Sequence, residues 1–160
     1  MKVQVLLAAA ALAADIAAAQ PSDGVQWEVI AVAPGHVIFF DARPDRVDSE
    51  VESSTVFTFH VLKVPMKGPT GQPYAMYLQR TKFSCLEPKM SREYVVAYDD
   101  SWGTVFSNDV ATPMVPFALG TATEAISVMA CDHVNPTDLE EKFTSPAAAV
   151  AFAKAKLASN

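Results

Sequence analysis

Apolar and β-branched residues fall in short alternating runs through the first two thirds of the chain, with turn-forming residues between them. "VQWEVIAVA" (Val25 to Ala33) and "HVIFF" (His36 to Phe40) flank Pro34-Gly35, a pair that reads as a turn between antiparallel neighbours. "DARPDRVDSEVESS" (Asp41 to Ser54) carries five acidic and two basic residues and predicts a solvated loop. "TVFTFHVLKV" (Thr55 to Val64) returns to strand chemistry, and "PMKGPTGQP" (Pro65 to Pro73) breaks it with three prolines and two glycines.

In "YAMYLQRTKFSC" (Tyr74 to Cys85), side chains alternate with period two. Tyr77, Gln79, Thr81, Phe83 and Cys85 share one face, and Leu78, Arg80, Lys82 and Ser84 the other. The second face is wet from Arg80 onward, so Phe83 and Cys85 look inward. "REYVVAYDDSWGTVF" (Arg92 to Phe106) predicts a hairpin connected by Asp99 to Gly103, with Gly103 in a backbone conformation that other residues resist. These runs make six candidate strands. "VATPMVPFALG" (Val110 to Gly120), with two prolines three apart, predicts an extended connection or edge segment.

The period then changes. Thr121-Ala122-Thr123-Glu124 fits a capping box, in which the Thr121 hydroxyl accepts from the third helical N–H and Glu124 reaches back to the N–H of Thr121. Ala122, Ala125, Ile126, Met129 and Ala130 follow as one apolar stripe, enough to lay a short helix on a sheet. That helix is expected to end near Ala130. After "DHVNPTDLEEKF", Ser145 and Pro146 fit the cap and first position of a second helix, "PAAAVAFAKAKLAS". Its alanines favour helix, but its stripe is weak and predicts loose docking. The pattern describes an α+β domain: a mostly antiparallel sheet of about six strands, a short late helix and a terminal Ala-rich helix.

Ahead of the first strand, Lys2 and the apolar run Val3 to Ala14 form the n- and h-regions of a signal peptide. Ala17-Ala18-Ala19 supplies the small-x-small cleavage pattern, which places the cut between Ala19 and Gln20. The apolar run is well short of the ~20 residues a membrane span needs, so the mature chain is expected to carry none. Removing 19 of 160 residues leaves 141, the size of one domain. The expected boundaries are 1–19 for the signal, 20–133 for the domain and 134–160 for a C-terminal extension. The signal takes one Lys and one Asp with it, so the net charge stays at −6 and gives no reason to expect nucleic acid.

Export changes the reading of the two cysteines. Among "ACDH", Cys131 could be a nucleophile with His133 as base, a metal ligand, a free thiol or half of a disulfide. The C-terminal end of a helix raises a thiol pKa, which disfavours the nucleophile, and His36, His60, His133 and the cysteines show no ligand spacing. An oxidising compartment favours pairing Cys85 with Cys131. No metal or other cofactor is expected. His60 lies on a strand face with Thr58 and Leu62 and reads as a structural histidine. Asp99-Asp100 reads as turn chemistry more readily than as paired carboxylates. Arg80, Lys82, Lys89 and Arg92 outnumber Glu87 and Glu93 and mark a locally basic stretch, while Trp102 is either tucked against the core or displayed for contact. Trp102, Arg80 and Lys82 are therefore the candidate contact surface.

Taken in order, "RTKFSC" (Arg80 to Cys85), "YVVAYDDSWGTVFS" (Tyr94 to Ser107), the region from Pro113 to Ile126 and the closing Ala130-Cys131 resemble the surface-adhesin protein E family of small exported bacterial proteins. The resemblance runs roughly from Trp27 to Cys131 and leaves the last ~27 residues unmatched. It implies an antiparallel sheet with a helix tied to it by the two cysteines. It also implies a non-catalytic domain outside the cytoplasm, similar to an adhesin that engages host extracellular proteins. Gln20 stands where a lipidated surface protein would carry cysteine, which favours the periplasm or the medium. The expected function is an exported binding or structural domain whose partner is an extracellular or periplasmic protein, with a homodimer compatible. The rivals are a small inhibitor of an exported enzyme acting through Pro65 to Pro73, and a hydrolase pairing His60 or His133 with an Asp.

Overall fold

Pro34 and Gly35 turn the chain between β1 (Trp27–Ala33) and β2 (His36–Asp41), which pair antiparallel from Ala33↔His36 to Trp27↔Asp41. The computed structural model describes residues 26–41, 48–49, 52–132 and 141–159. The signal segment with Ala19 and Gln20, most of the acidic stretch after Asp41, and His133 lie outside the described residues. The remaining elements are β3 (Asp48–Ser49), β4 (Ser53–Lys67), β5 (Pro73–Ser84), β6 (Lys89–Tyr98), β7 (Thr104–Asn108), β8 (Val115–Pro116), α1 (Ala122–Cys131), β9 (Lys142–Phe143) and α2 (Pro146–Ser159).

Among the described residues, nine strands join one sheet in the order β7-β6-β5-β4-β2-β1-β9, with β3 paired to β4 and β8 to β6; every pairing is antiparallel. The α+β class is as expected. Three two-residue strands raise the number above six because so short a pairing leaves no periodicity to read. The Pro65 to Pro73 stretch is not wholly a break: β4 continues through Met66 and Lys67, and the hairpin closes over residues 68–72.

Alternation splits the strands between two helix-covered faces. On one, Val37, Phe39, Phe59, Val61, Met76, Val96 and Tyr98 pack with Ala149, Val150, Ala153 and Leu157 of α2. Trp27 joins them, almost fully buried. On the other, Ile38, Phe40, Val56 and Phe83 pack with Ile126 and Ala130 of α1. Each Val, Leu, Ile, Phe or Met among them contributes about 1.5–3 kcal/mol when fully buried.

α2 docks closely rather than loosely. Alanines at 149 and 153 are fully buried and let the helix backbone approach the aromatic layer, so close approach replaces the missing large side chains. Ser145 caps it as expected, accepting from the N–H of Ala148 at 3.2 Å. The start of α1 departs from expectation. Thr121 sits at the cap with extended backbone but makes no side-chain cap bond. Its hydroxyl donates instead to the Ala118 carbonyl, and Glu124 accepts from the N–H of Gly120 rather than that of Thr121. The helix also runs one residue beyond Ala130, to Cys131.

Candidate functional site

α1 is shorter than the sheet face it covers. Its Ile126 and Ala130 sit over Val56 and Phe83, and beside its N-terminus the same face borders a groove. The inward positions there are polar. Register pairs Thr58 with Gln79 and His60 with Tyr77 across β4 and β5, while Val56 faces Thr81. The result is a groove of about 300 Å³ with Thr58, His60, Tyr77, Gln79, Thr81 and Arg92 along the strands and Thr121 to Thr123 at the helix end. Ile38, Phe83 and Ile126 supply its apolar part. Among the described residues no Asp or Glu lines it.

The disulfide holds the helix wall in place. Cys85, just past β5, bonds to Cys131 at the last helical position, with Cα atoms 5.4 Å apart. The sulfurs therefore tie α1 to the sheet, and no cysteine among the described residues is free. The expected early helix end was unnecessary, because the final turn already brings Cys131 within reach of the strand end.

His60 is the buried chemical group of the groove. Its Nε2 lies 3.0 Å from the Thr58 Oγ1, and its ring stacks on Tyr77 with centroids 4.2 Å apart and planes 10° from parallel. Nδ1 is buried without a hydrogen-bond partner. Burial first, then the neighbouring His36 and Arg92 charges, lowers the imidazole pKa to about 3. The same burial, with Tyr74 adding to it and Arg92 opposing it, pushes the Tyr77 phenol up to about 12. Both groups are neutral at pH 7. Gln79 donates to the Thr81 hydroxyl at 2.7 Å, which fixes the amide across the floor.

The residues expected as a contact surface lie elsewhere, and none of Trp102, Arg80 and Lys82 lines the groove. Arg80 and Lys82 are half-buried on the opposite face of β5, where Arg80 Nε lies 3.1 Å from a Glu93 carboxylate oxygen and the guanidinium lies 5.9 Å from the Phe57 ring. Trp102 is half-buried and stacks on Phe59, so the tucked alternative is the observed one. Trp102 rather than Gly103 takes the left-handed backbone, at φ 66°. Gly103 is needed for space instead: a Cβ there would meet the Asp99 carboxylate at 2.6 Å. Asp99 accepts from the N–H groups of Ser101 and Gly103, both at 2.8 Å, and Asp100 pairs with Lys154. The two aspartates are turn and docking residues.

Thr58, Tyr77, Gln79 and Arg92 were not expected to form a site. The signal for it lies in polar residues at inward period-two positions on two consecutive strands, where a buried face would otherwise be apolar. Among the described residues, no group of three or more His, Cys, Asp or Glu could hold a metal ion, and no helix is long and apolar enough to cross a membrane. No curated protein and no solved structure matches the chain. A family model described as Surface-adhesin protein E matches residues 27–132, from the first residue of β1 to the cap of α1.

Proposed function

The chain belongs to the surface-adhesin protein E family, and from that premise we propose that it is an exported binding domain without catalysis whose ligand site is the groove beside α1. The observation that carries this reading is the groove's chemistry: hydroxyls, an amide, a guanidinium and a neutral imidazole converge, with no carboxylate among the described lining residues. Such a set recognises; it does not move protons. A general base works best with a pKa near the working pH, and an imidazole at about 3 is a weak one. His60 is oriented by a threonine rather than by the acid a hydrolase would use.

Export is supported by the disulfide, which suits an oxidising compartment, and by the signal pattern ending at Ala19 and Gln20.

Beads coated with the oxidised mature protein test the proposal on surfaces of extracellular matrix and of epithelial cells. Gln79→Trp fills the groove from the strand side, and Thr123→Trp covers its mouth from the helix. Wild-type beads adhere, and either folded variant loses most of that adhesion. Full adhesion by both variants would remove the groove from the function.

A further inference from the structure

We infer that the groove takes a sugar ring bearing a single carboxylate, of the uronic-acid type, with Arg92 and the start of α1 holding the carboxylate. This rests on the groove being the binding site. Two features favour an anion at that end, and a third adds a polar atom beside it. Arg92 is exposed at the rim, and among the described residues no Asp or Glu pairs with its guanidinium; its recorded hydrogen bonds are made by its backbone to Thr112. α1 spans ten residues and presents its N-terminal N–H groups and the positive end of its dipole beside Thr121 to Thr123. No side chain caps those amides, because the Thr121 hydroxyl is turned to Ala118 and the Glu124 carboxylate to Gly120.

The third feature is a buried polar atom left over. His60 is 7% exposed, borders the groove, and carries an Nδ1 with no partner.

The charge and shape narrow the ligand. The lining holds one permanent cation, Arg92, which matches one carboxylate in the bidentate manner of a guanidinium better than it matches a phosphate dianion. Around it stand neutral hydroxyl and amide groups, from Thr58, Gln79, Thr81 and Thr123, of the kind that ring hydroxyls pair with. Ile38, Phe83 and Ile126 then meet the C–H face of the ring. A peptide terminus would bring its carboxylate without the ring hydroxyls.

Titration of the ¹⁵N-labelled oxidised protein with sodium glucuronate, glucose, acetate and a short peptide with a free C-terminal carboxylate tests this. Glucuronate is expected to shift the amides of Thr121, Ala122 and Thr123 saturably, while glucose and acetate each bind roughly tenfold more weakly or worse, since each lacks half of the recognised chemistry. Arg92→Gln, at an exposed position, is expected to weaken glucuronate roughly tenfold and leave the rest of the spectrum unchanged. Absence of a saturable shift, equal binding of glucose, or tighter binding of the peptide would overturn the assignment. If adhesion is lost in the groove variants while glucuronate fails to bind, the ligand class alone falls; if adhesion survives them, the groove reading falls with it.

Discussion

Trp102 lies nearly parallel to Phe59, with ring centroids 5.8 Å apart and planes 13° from each other, and its backbone is left-handed at φ 66°. A tryptophan there costs backbone energy that the stack must offset. Trp102→Ala loses the stack and keeps the cost, while Trp102→Gly loses both. Trp102→Ala is therefore destabilised by about 2 kcal/mol and Trp102→Gly by about 1 kcal/mol. Urea unfolding at constant slope measures the order; alanine above glycine would contradict it.

Beside it, Gly103 faces Asp99 so closely that any side chain must displace the carboxylate. Gly103→Ala then breaks the bonds from Asp99 to the N–H groups of Ser101 and Gly103. A loss of about 1–3 kcal/mol is expected from the clash and the lost bonds together. A melting temperature equal to wild type would show that the turn relaxes freely.

The Cys85 to Cys131 bond spans 46 positions, and the chain-entropy treatment of such a loop puts its contribution near ~4 kcal/mol. Cys85→Ser with Cys131→Ser is expected to lower stability by that order and to release α1 first. Hydrogen exchange should show early loss of protection at Ile126 to Ala130 while β2, β4 and β5 stay protected. Simultaneous loss across helix and sheet would mean that α1 is not a separable wall.

Stability should also fall with acid through His60. The unfolded imidazole takes a proton near pH 6.5 and the folded one only near 3, so between these values the unfolded state holds more protons. Stability from this residue is thus complete above pH 6.5 and declines as pH falls toward 3, at about 1.4 kcal/mol per unit of the gap. His60→Gln should flatten the decline in urea midpoints between pH 7 and pH 4. An unchanged slope would assign the acid sensitivity to other groups.

Much of the architecture was legible because its signals are local. Pro34-Gly35 and Asp99 to Gly103 sit between alternating runs, and each hairpin forms where those residues place it. The cysteine pairing followed from compartment and agrees with the sheet-to-helix tie. What escaped depends on contacts distant in sequence. β9 is two residues whose strand character comes only from β1, and the Ala-rich α2 gains its docking from buried small residues that a periodicity test undervalues. The groove was hidden for the same reason: Thr58 and His60 on β4 meet Tyr77 and Gln79 on β5 only through register, and Arg92 and Thr121 arrive from β6 and α1. Thr121 itself looked like a cap, yet the Ala118 carbonyl competes for its hydroxyl and leaves the helix end open.

The state of His60 decides between a recognising groove and a catalytic one. Ring ¹³C and ¹⁵N shifts of His60, followed from pH 8 downward in the oxidised protein, read it directly. A neutral imidazole is predicted throughout that range until the pH approaches about 3, because burial and the nearby charges oppose its protonation. A midpoint near the ordinary histidine value of about 6.5 would give the groove a competent base and contradict its assignment to binding alone.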